Sequence, residues 1–303
     1  MNINIFNVPE EYDRKYIETH RIHPLFDKKI ESIMHSVISG DKINWNFLDI
    51  DYKIINSDLR IPIFSKFKEN FQSALMSSKL NKLTGFEKFP YVDICLGCTQ
   101  YIDSIHVSNK SNIQIIEKEY AYHRRLNPTI VEKTIDTLEK NIPLVISLPH
   151  FDGSMHVQME QIMNRCLELY IPVHIDAAWI TAVKNINFDF SHPAIESFAI
   201  SMSKGYGLSG WNRIGLRWSK TRIEDLLTIM NDYGQITTPS VIIGNYFLEN
   251  IPIDHLWNTH SDRYYKICDD FNLTPTDSIH LVKENGWVKG IGPLIRYLEN
   301  NNV

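Results

Sequence analysis

From residue 91 onward the chain alternates short apolar runs with amphipathic stretches. Six runs read as strands: 92–96, 113–117, 144–148, 173–176, 197–201 and 214–218. Most are near-continuously apolar, as strands buried on both faces are. Between them the period changes. Met155, Met159, Ile162, Met163, Cys166, Leu167 and Tyr170 recur at helical spacing and predict a helix with a core-facing stripe. Asn127 followed by Pro128 predicts another helix reaching residue 140, because proline is favoured at a first helical position. Thr221-Arg222-Ile223-Glu224 has the form of a capping box and predicts a third. Strands alternating with helices predict an α/β fold around a mixed, mostly parallel sheet. The first ninety residues carry only weak helical periodicity, clearest over 64–83. The expected division is an amino-terminal segment (1–90), a large domain (91–220) and a small carboxy-terminal α+β domain (221–303).

Composition narrows the class. Hydrophobic residues make up 43% of the 303 and charged residues 22%, enough for a sizeable core. Thirty-one basic against 36 acidic residues give a net charge of -5, and no dense Lys/Arg cluster occurs, so a nucleic-acid partner is not expected. Residues 1–10 lack a basic and then apolar leader pattern, and no apolar run reaches membrane-spanning length. No membrane partner is expected, and the cytoplasm is the expected location. The four cysteines include one C-x-x-C, Cys95 to Cys98, but Cys166 and Cys268 stand apart and supply no second pair for zinc. They read as reduced thiols. The 12 histidines show no metal-ligand spacing, and no metal is expected.

The chemistry gathers at two strand ends. Ser201-Met202-Ser203-Lys204 follows one apolar strand and leads into Gly205-Tyr206-Gly207 and then Arg213-Ile214-Gly215. His174-Ile175-Asp176-Ala177-Ala178-Trp179 ends another. The carboxyl ends of strands are where α/β sheets bind ligands. A lysine there, if kept neutral, is a nucleophile, and a buried aspartate can hold a cation opposite it. Gly97-Cys98-Thr99 follows a strand and precedes a possible helix, so its backbone N–H groups could face a phosphate.

In order and spacing these motifs resemble the aspartate aminotransferase superfamily, the fold-type I enzymes that use pyridoxal 5′-phosphate. The resemblance covers residues 92–218. It implies that Lys204 forms a Schiff base with the cofactor and moves a substrate proton, and that Asp176 pairs with the ring nitrogen. It assigns the phosphate to Gly97, Cys98, Thr99, Ser201 and Arg213, with Ser203 beside them. It puts the stacked ring at Tyr120, with Tyr122 and His123 as alternatives. It puts His150 and Trp179 near the phenolic oxygen. It implies a homodimer, and a late arginine that clamps a substrate carboxylate, for which Arg296 is the first candidate and Arg124 and Arg125 are others.

Two features depart from the pattern. Trp179 stands where aminotransferases have tyrosine, and Asp-Ala-Ala-Trp resembles the group II decarboxylases. Ser203 stands where those decarboxylases carry histidine. The expected activity is an aminotransferase acting on a small amino acid or amine. The alternatives are a pyridoxal phosphate decarboxylase or lyase, and a non-catalytic relative. A literal G-x-G-x-x-G from Gly205 to Gly210 competes as a dinucleotide motif, but a strand-like run follows it instead of the required helix.

Overall fold

A computed structural model describes residues 12–19, 22–40, 43 and 57–302, with 57–61 described by backbone alone. The leader reading of residues 1–10 lies outside the described residues, as does part of the amino-terminal segment. In chain order the chain forms α1 (Lys28–Ile38), α2 (Ser57–Met76), β1 (Lys82–Thr84), β2 (Tyr91–Cys95), α3 (Cys98–Ser108) and β3 (Gln114–Ile116). It continues with α4 (Tyr122–Leu126), β4 (Glu132–Lys133), β5 (Leu144–Ser147), α5 (Met159–Glu168), β6 (Val173–Ala177), β7 (Asn187–Asp189), β8 (Ile195–Ser201) and β9 (Gly215–Ser219). The remainder is α6 (Leu226–Asp232), α7 (Thr238–Asn250), α8 (His255–Phe271), β10 (Thr274–Pro275), β11 (Leu281–Glu284), β12 (Trp287–Gly290) and α9 (Gly292–Asn300).

Seven strands form one sheet in the order β2-β9-β8-β6-β5-β3-β4. All neighbours run parallel except β9, which is antiparallel to both β2 and β8. The architecture is therefore the mixed, mostly parallel α/β sheet expected. A separate antiparallel sheet, β10-β11-β12, lies near the carboxyl terminus. Its β11–β12 hairpin turns at Asn285-Gly286, both at positive φ (50° and 82°), as a tight hairpin demands.

The two sheet faces differ in chemistry. One carries Phe198, Ile200, Leu216, Trp218, Ile146 and Ile175 in the main apolar core. Phe198 stacks between Phe190 and Trp218 there, with ring centroids 3.9 and 5.0 Å away. The other face lies under α3, where Cys98, Tyr101 and Ile105 pack on Ile115, Val145 and Ala199. Strand pairing puts Ser147, Asp176, His174, Ser197, Arg217 and Asp93 on that same face. These are the polar residues that interrupt otherwise apolar runs. Beneath α3 four of them pair with one another, His174 with Ser197 and Arg217 with Asp93. Ser197 Oγ lies 2.8 Å from both Tyr101 Oη and His174 Nδ1, and the buried Arg217 guanidinium bonds Asp93 and Asp225.

Two expected helices are corrected. No helix spans 127–140. Asn127 Oδ1 instead accepts from the Thr129 N–H and hydroxyl, and the chain goes on to pair as edge strand β4. Asn-Pro-Thr therefore makes a local turn, the same side-chain chemistry that could have capped a helix. The capping-box reading at Thr221 also moves. Glu224 pairs with Arg222, and α6 starts at Leu226 with Asp225 accepting from Thr228 N–H. The helix expected around Met155 is α5, and Met155 itself lies outside it, partly exposed.

Candidate active site

The carboxyl ends of β5, β6 and β8 open into a cavity of about 790 Å³. Ser147, Asp176 and Ser201 stand at those ends and line it, together with Cys98, Thr99, Tyr120, His150, Trp179, Ser203, Lys204 and Arg213. Eleven separate sequence positions had been assigned to the cofactor. Ten of them meet in this one cavity, and Gly97 lies beside Ser201, Ser203 and Arg213, which are within 3.9 Å of where its side chain would begin.

Each wall has a local cause. Gly97 precedes α3 at φ 74°, a conformation that costs glycine little, and frees the first N–H groups of an 11-residue helix. Arg213 Nη2 donates to Thr99 Oγ1 at 2.6 Å, bringing a guanidinium to the same helix end. The helix end, the Ser201 and Ser203 hydroxyls and a fork-shaped cation form a set that suits a phosphate. Lys204 lies in the turn after β8. Its neighbour Gly205 donates N–H to Thr181 Oγ1 at 3.1 Å, which holds the turn against the segment following Asp176. Lys204 Nζ sits 4.5 Å from the centre of the Trp179 ring.

The electrostatics favour neutral forms. Burial, helped by Arg213, lowers Lys204 to about 8 against the partial opposition of Asp176 and Cys98. Burial likewise raises Asp176, although Ala178 N–H donates to its Oδ1 at 3.0 Å. A cation held against Asp176 would reverse that shift. The Cys98 thiol is pushed well up by burial and donates to Ala199 O at 3.3 Å, which makes it a wall and not a nucleophile.

The alternatives for the ring position separate. Tyr120 lines the cavity, whereas Tyr122 donates to Asp103 and His123 contacts His106. His150 faces the cavity, but its Nε2 already lies 3.0 Å from Glu117 O. Pro149 follows a cis peptide, and the residue before it is the buried Leu148, which has no side-chain donor. Arg296 is not brought to the cavity. It lies on α9, with its guanidinium engaged by Glu31 and Glu299. Arg124 pairs with Glu132, while Arg125 lines the cavity.

Sequence reasoning missed Glu119, Ser147, Lys118 and Leu281 on the cavity wall. Glu119 is raised to about 7 by burial, against hydrogen bonds from Ser147 N–H (2.7 Å) and Oγ (2.5 Å). Within Glu117-Lys118-Glu119 no periodicity marks which charge turns inward. Ser147 did carry a signal, as a polar residue at the end of an apolar strand.

One other grouping has metal-ligand character among the described residues: Asp27, His260 and Glu299. His260 Nδ1 faces Arg263 Nη1 at 3.4 Å, so its ring proton lies on Nε2 and goes to Asp27 Oδ2 at 3.0 Å. Glu299 is taken by Lys28 and Arg296. The group is a hydrogen-bonded clasp.

No family profile matches the sequence, and no curated protein matches it. Solved structures share the fold at low identity. A PLP-bound C-S lyase from Staphylococcus hominis superposes at a TM-score of 0.60 and 13% identity, over 91% of this chain and 82% of that one. An aromatic aminotransferase from Pyrococcus horikoshii OT3 gives 0.57 and 11%, over 92% of each. A histidinol-phosphate aminotransferase from Clostridium acetobutylicum gives 0.52 and 10%, over 94% and 99%. The chain has the fold of the aspartate aminotransferase superfamily. No helix among the described residues is long and apolar enough to cross a membrane.

Proposed function

We propose that this chain is a pyridoxal 5′-phosphate enzyme of fold type I, acting as an aminotransferase on a small amino acid or amine. One observation carries the reading. A half-buried lysine with its basicity lowered to about 8 shares a cavity with a buried aspartate and a phosphate-suited helix end. When bound, pyridoxal phosphate supplies an aldehyde for amines and a ring that accepts electrons from the adjacent carbon.

The protein's part follows from its own groups. The helix end of α3, Ser201, Ser203 and Arg213 would hold the phosphate, and Tyr120 would cover the ring. Asp176 keeps a proton on the ring nitrogen, and this offsets the burial that raises its own carboxyl. Lys204 supplies the neutral amine and then moves a proton from the substrate Cα. Trp179 supports a second reading, a decarboxylase or lyase, because indole N–H donates but cannot ionise beside a phenolic oxygen. A homodimer and a cytoplasmic location belong to the same reading. Tyr120 and Phe151 are 53% and 41% exposed at the cavity and suit a covering partner.

The test is the visible spectrum of the full chain with pyridoxal phosphate. A band is expected that borohydride abolishes, with the added mass on the peptide containing Lys204. Attachment should accelerate as pH rises toward about 8, the range in which this lysine loses its proton. A protein that stays colourless refutes the cofactor. Keto acid formed without ammonia, with the amino group retained on the cofactor, supports transamination, whereas carbon dioxide, or keto acid released together with ammonia, supports the second reading.

A further inference from the structure

The carboxy-terminal loop before β11 is bonded to the segment that follows Asp176. Lys184 N–H donates to Asp277 O at 3.0 Å, and Ile279 N–H donates to Ala182 O at 3.1 Å. Val183 and Ser278 form an antiparallel bridge. The next residue, His280, is fully buried. Its Nδ1 accepts from Leu25 N–H at 3.0 Å. An accepting Nδ1 carries no proton, so in the neutral ring the proton lies on Nε2. Burial holds His280 in that neutral form, and the positive Lys204 adds to the effect.

Nε2 is buried without a partner of full hydrogen-bond geometry. The group that favours a proton there is the Lys204 backbone. The His280 ring also meets Trp179 edge-on, with centroids 5.6 Å apart at 68°. Lys204 Nζ lies over that same indole, 4.5 Å from the ring centre. His280 thus lies where the segment before α1, the carboxy-terminal loop and the lysine turn converge.

We propose that His280 is a positioning residue for Lys204. Its Nε2–H steadies the Lys204 backbone, and its ring braces the indole over which the amine lies. Both contacts keep the amine withdrawn from water. Loosening them admits water, which favours the ammonium ion and leaves less neutral amine near neutral pH. The meaning of this for catalysis rests on the role proposed for Lys204, but the positioning itself does not require the cofactor.

The experiment follows the rate at which Lys204 in the full chain is labelled by a small acylating reagent, read by peptide mass spectrometry across pH. His280→Leu removes both ring nitrogens. His280→Gln returns a donor near the Nε2 position, and His280→Asn returns a group near Nδ1 alone. His280→Leu is expected to lower labelling near neutral pH by about threefold, equal to roughly half a pKa unit. His280→Gln should restore most of the rate, and His280→Asn should not. Wild-type labelling in His280→Leu, or rescue by Asn and not by Gln, overturns the proposal. If the Leu variant fails to fold, the Gln and Asn comparison still decides. Failure of the cofactor reading appears separately, as a wild-type chain that labels at Lys204 but takes up no pyridoxal phosphate.

Discussion

Gly205→Ala tests whether the lysine turn is fixed by close backbone approach. A Cβ at Gly205 would lie 2.1 Å from Thr181 O and 2.7 Å from Thr181 C, where ordinary contact begins near 3.4 Å. The obstacle is backbone and cannot swing aside. The turn carrying Lys204 must therefore separate from the segment after Asp176 by about an ångström, weakening the Gly205 N–H to Thr181 Oγ1 bond. Overpacking of this kind costs about 1–3 kcal/mol. In a chain of this size that lowers the melting temperature by roughly 2–5 °C. A shift of about 1 Å between reacting groups also costs about 100-fold in rate. Gly210→Ala is the control, because nothing lies within 4 Å of its added carbon and the change should stay within about 0.5 kcal/mol. Thermal denaturation followed by far-ultraviolet dichroism, with cofactor titration of both variants, checks the pair. A Gly205→Ala protein that melts and binds cofactor as the wild type does would refute the steric argument. Equal damage from both substitutions would instead favour the G-x-G-x-x-G reading, in which the third glycine also matters.

Asp27→Asn should cost about 3 kcal/mol, because Asp27 Oδ2 accepts from His255 Nε2 at 2.6 Å and His260 Nε2 at 3.0 Å in a buried clasp. Burial resists the charge on Asp27, but the two imidazoles and Ile30 N–H outweigh it and hold the carboxyl well below its usual range. Its contribution is then fully present above the unfolded value near 3.9 and is lost as pH falls through the lower folded value, so urea unfolding should show the two proteins converging in acid. Arg296→Gln should lose about 2 kcal/mol of stability through Glu31 and Glu299 while leaving KM for an amino acid substrate within about twofold. A tenfold rise in KM at unchanged stability would return Arg296 to the substrate site.

All six strands expected from the apolar runs are present, because strands buried on both faces advertise themselves. The polar exceptions within them proved more informative than the runs. His174, Asp176, Ser197 and Ser201 alternate with apolar neighbours and so mark the face beneath α3. The helix expected over 127–140 failed because Asn-Pro-Thr makes the same side-chain to backbone bonds in a turn as at a helix start. Arg296 was misplaced for a related reason. Gly292-Pro293-Leu294-Ile295 looks strand-like, but proline at the first turn opens a helix. His280 was not legible at all, because Leu25, which it bonds, and Trp179, which its ring meets, are far from it in sequence.

The sign of the site's charge was equally hidden. The chain carries a net charge of -5, yet the cavity is lined by Lys118, Arg125, Lys204 and Arg213 against Glu119 and Asp176. Burial pushes both of those carboxyls toward neutrality, which enlarges the positive excess. On the proposed reading a phosphate brings a charge of about -1.5 to -2 and would sit beside Arg213 and the amino end of α3. That would be the cofactor end of the cavity, where the polar groups come from strand ends, the turns that follow them and the helix start beside them. Lys118 and Arg125 belong instead to the connection between β3 and α4 and to α4 itself, on the wall that carries Tyr120. Local motifs therefore encode the proposed cofactor end and leave the opposite wall to long-range packing. This is why a single sequence is more informative about the cofactor than about the reaction.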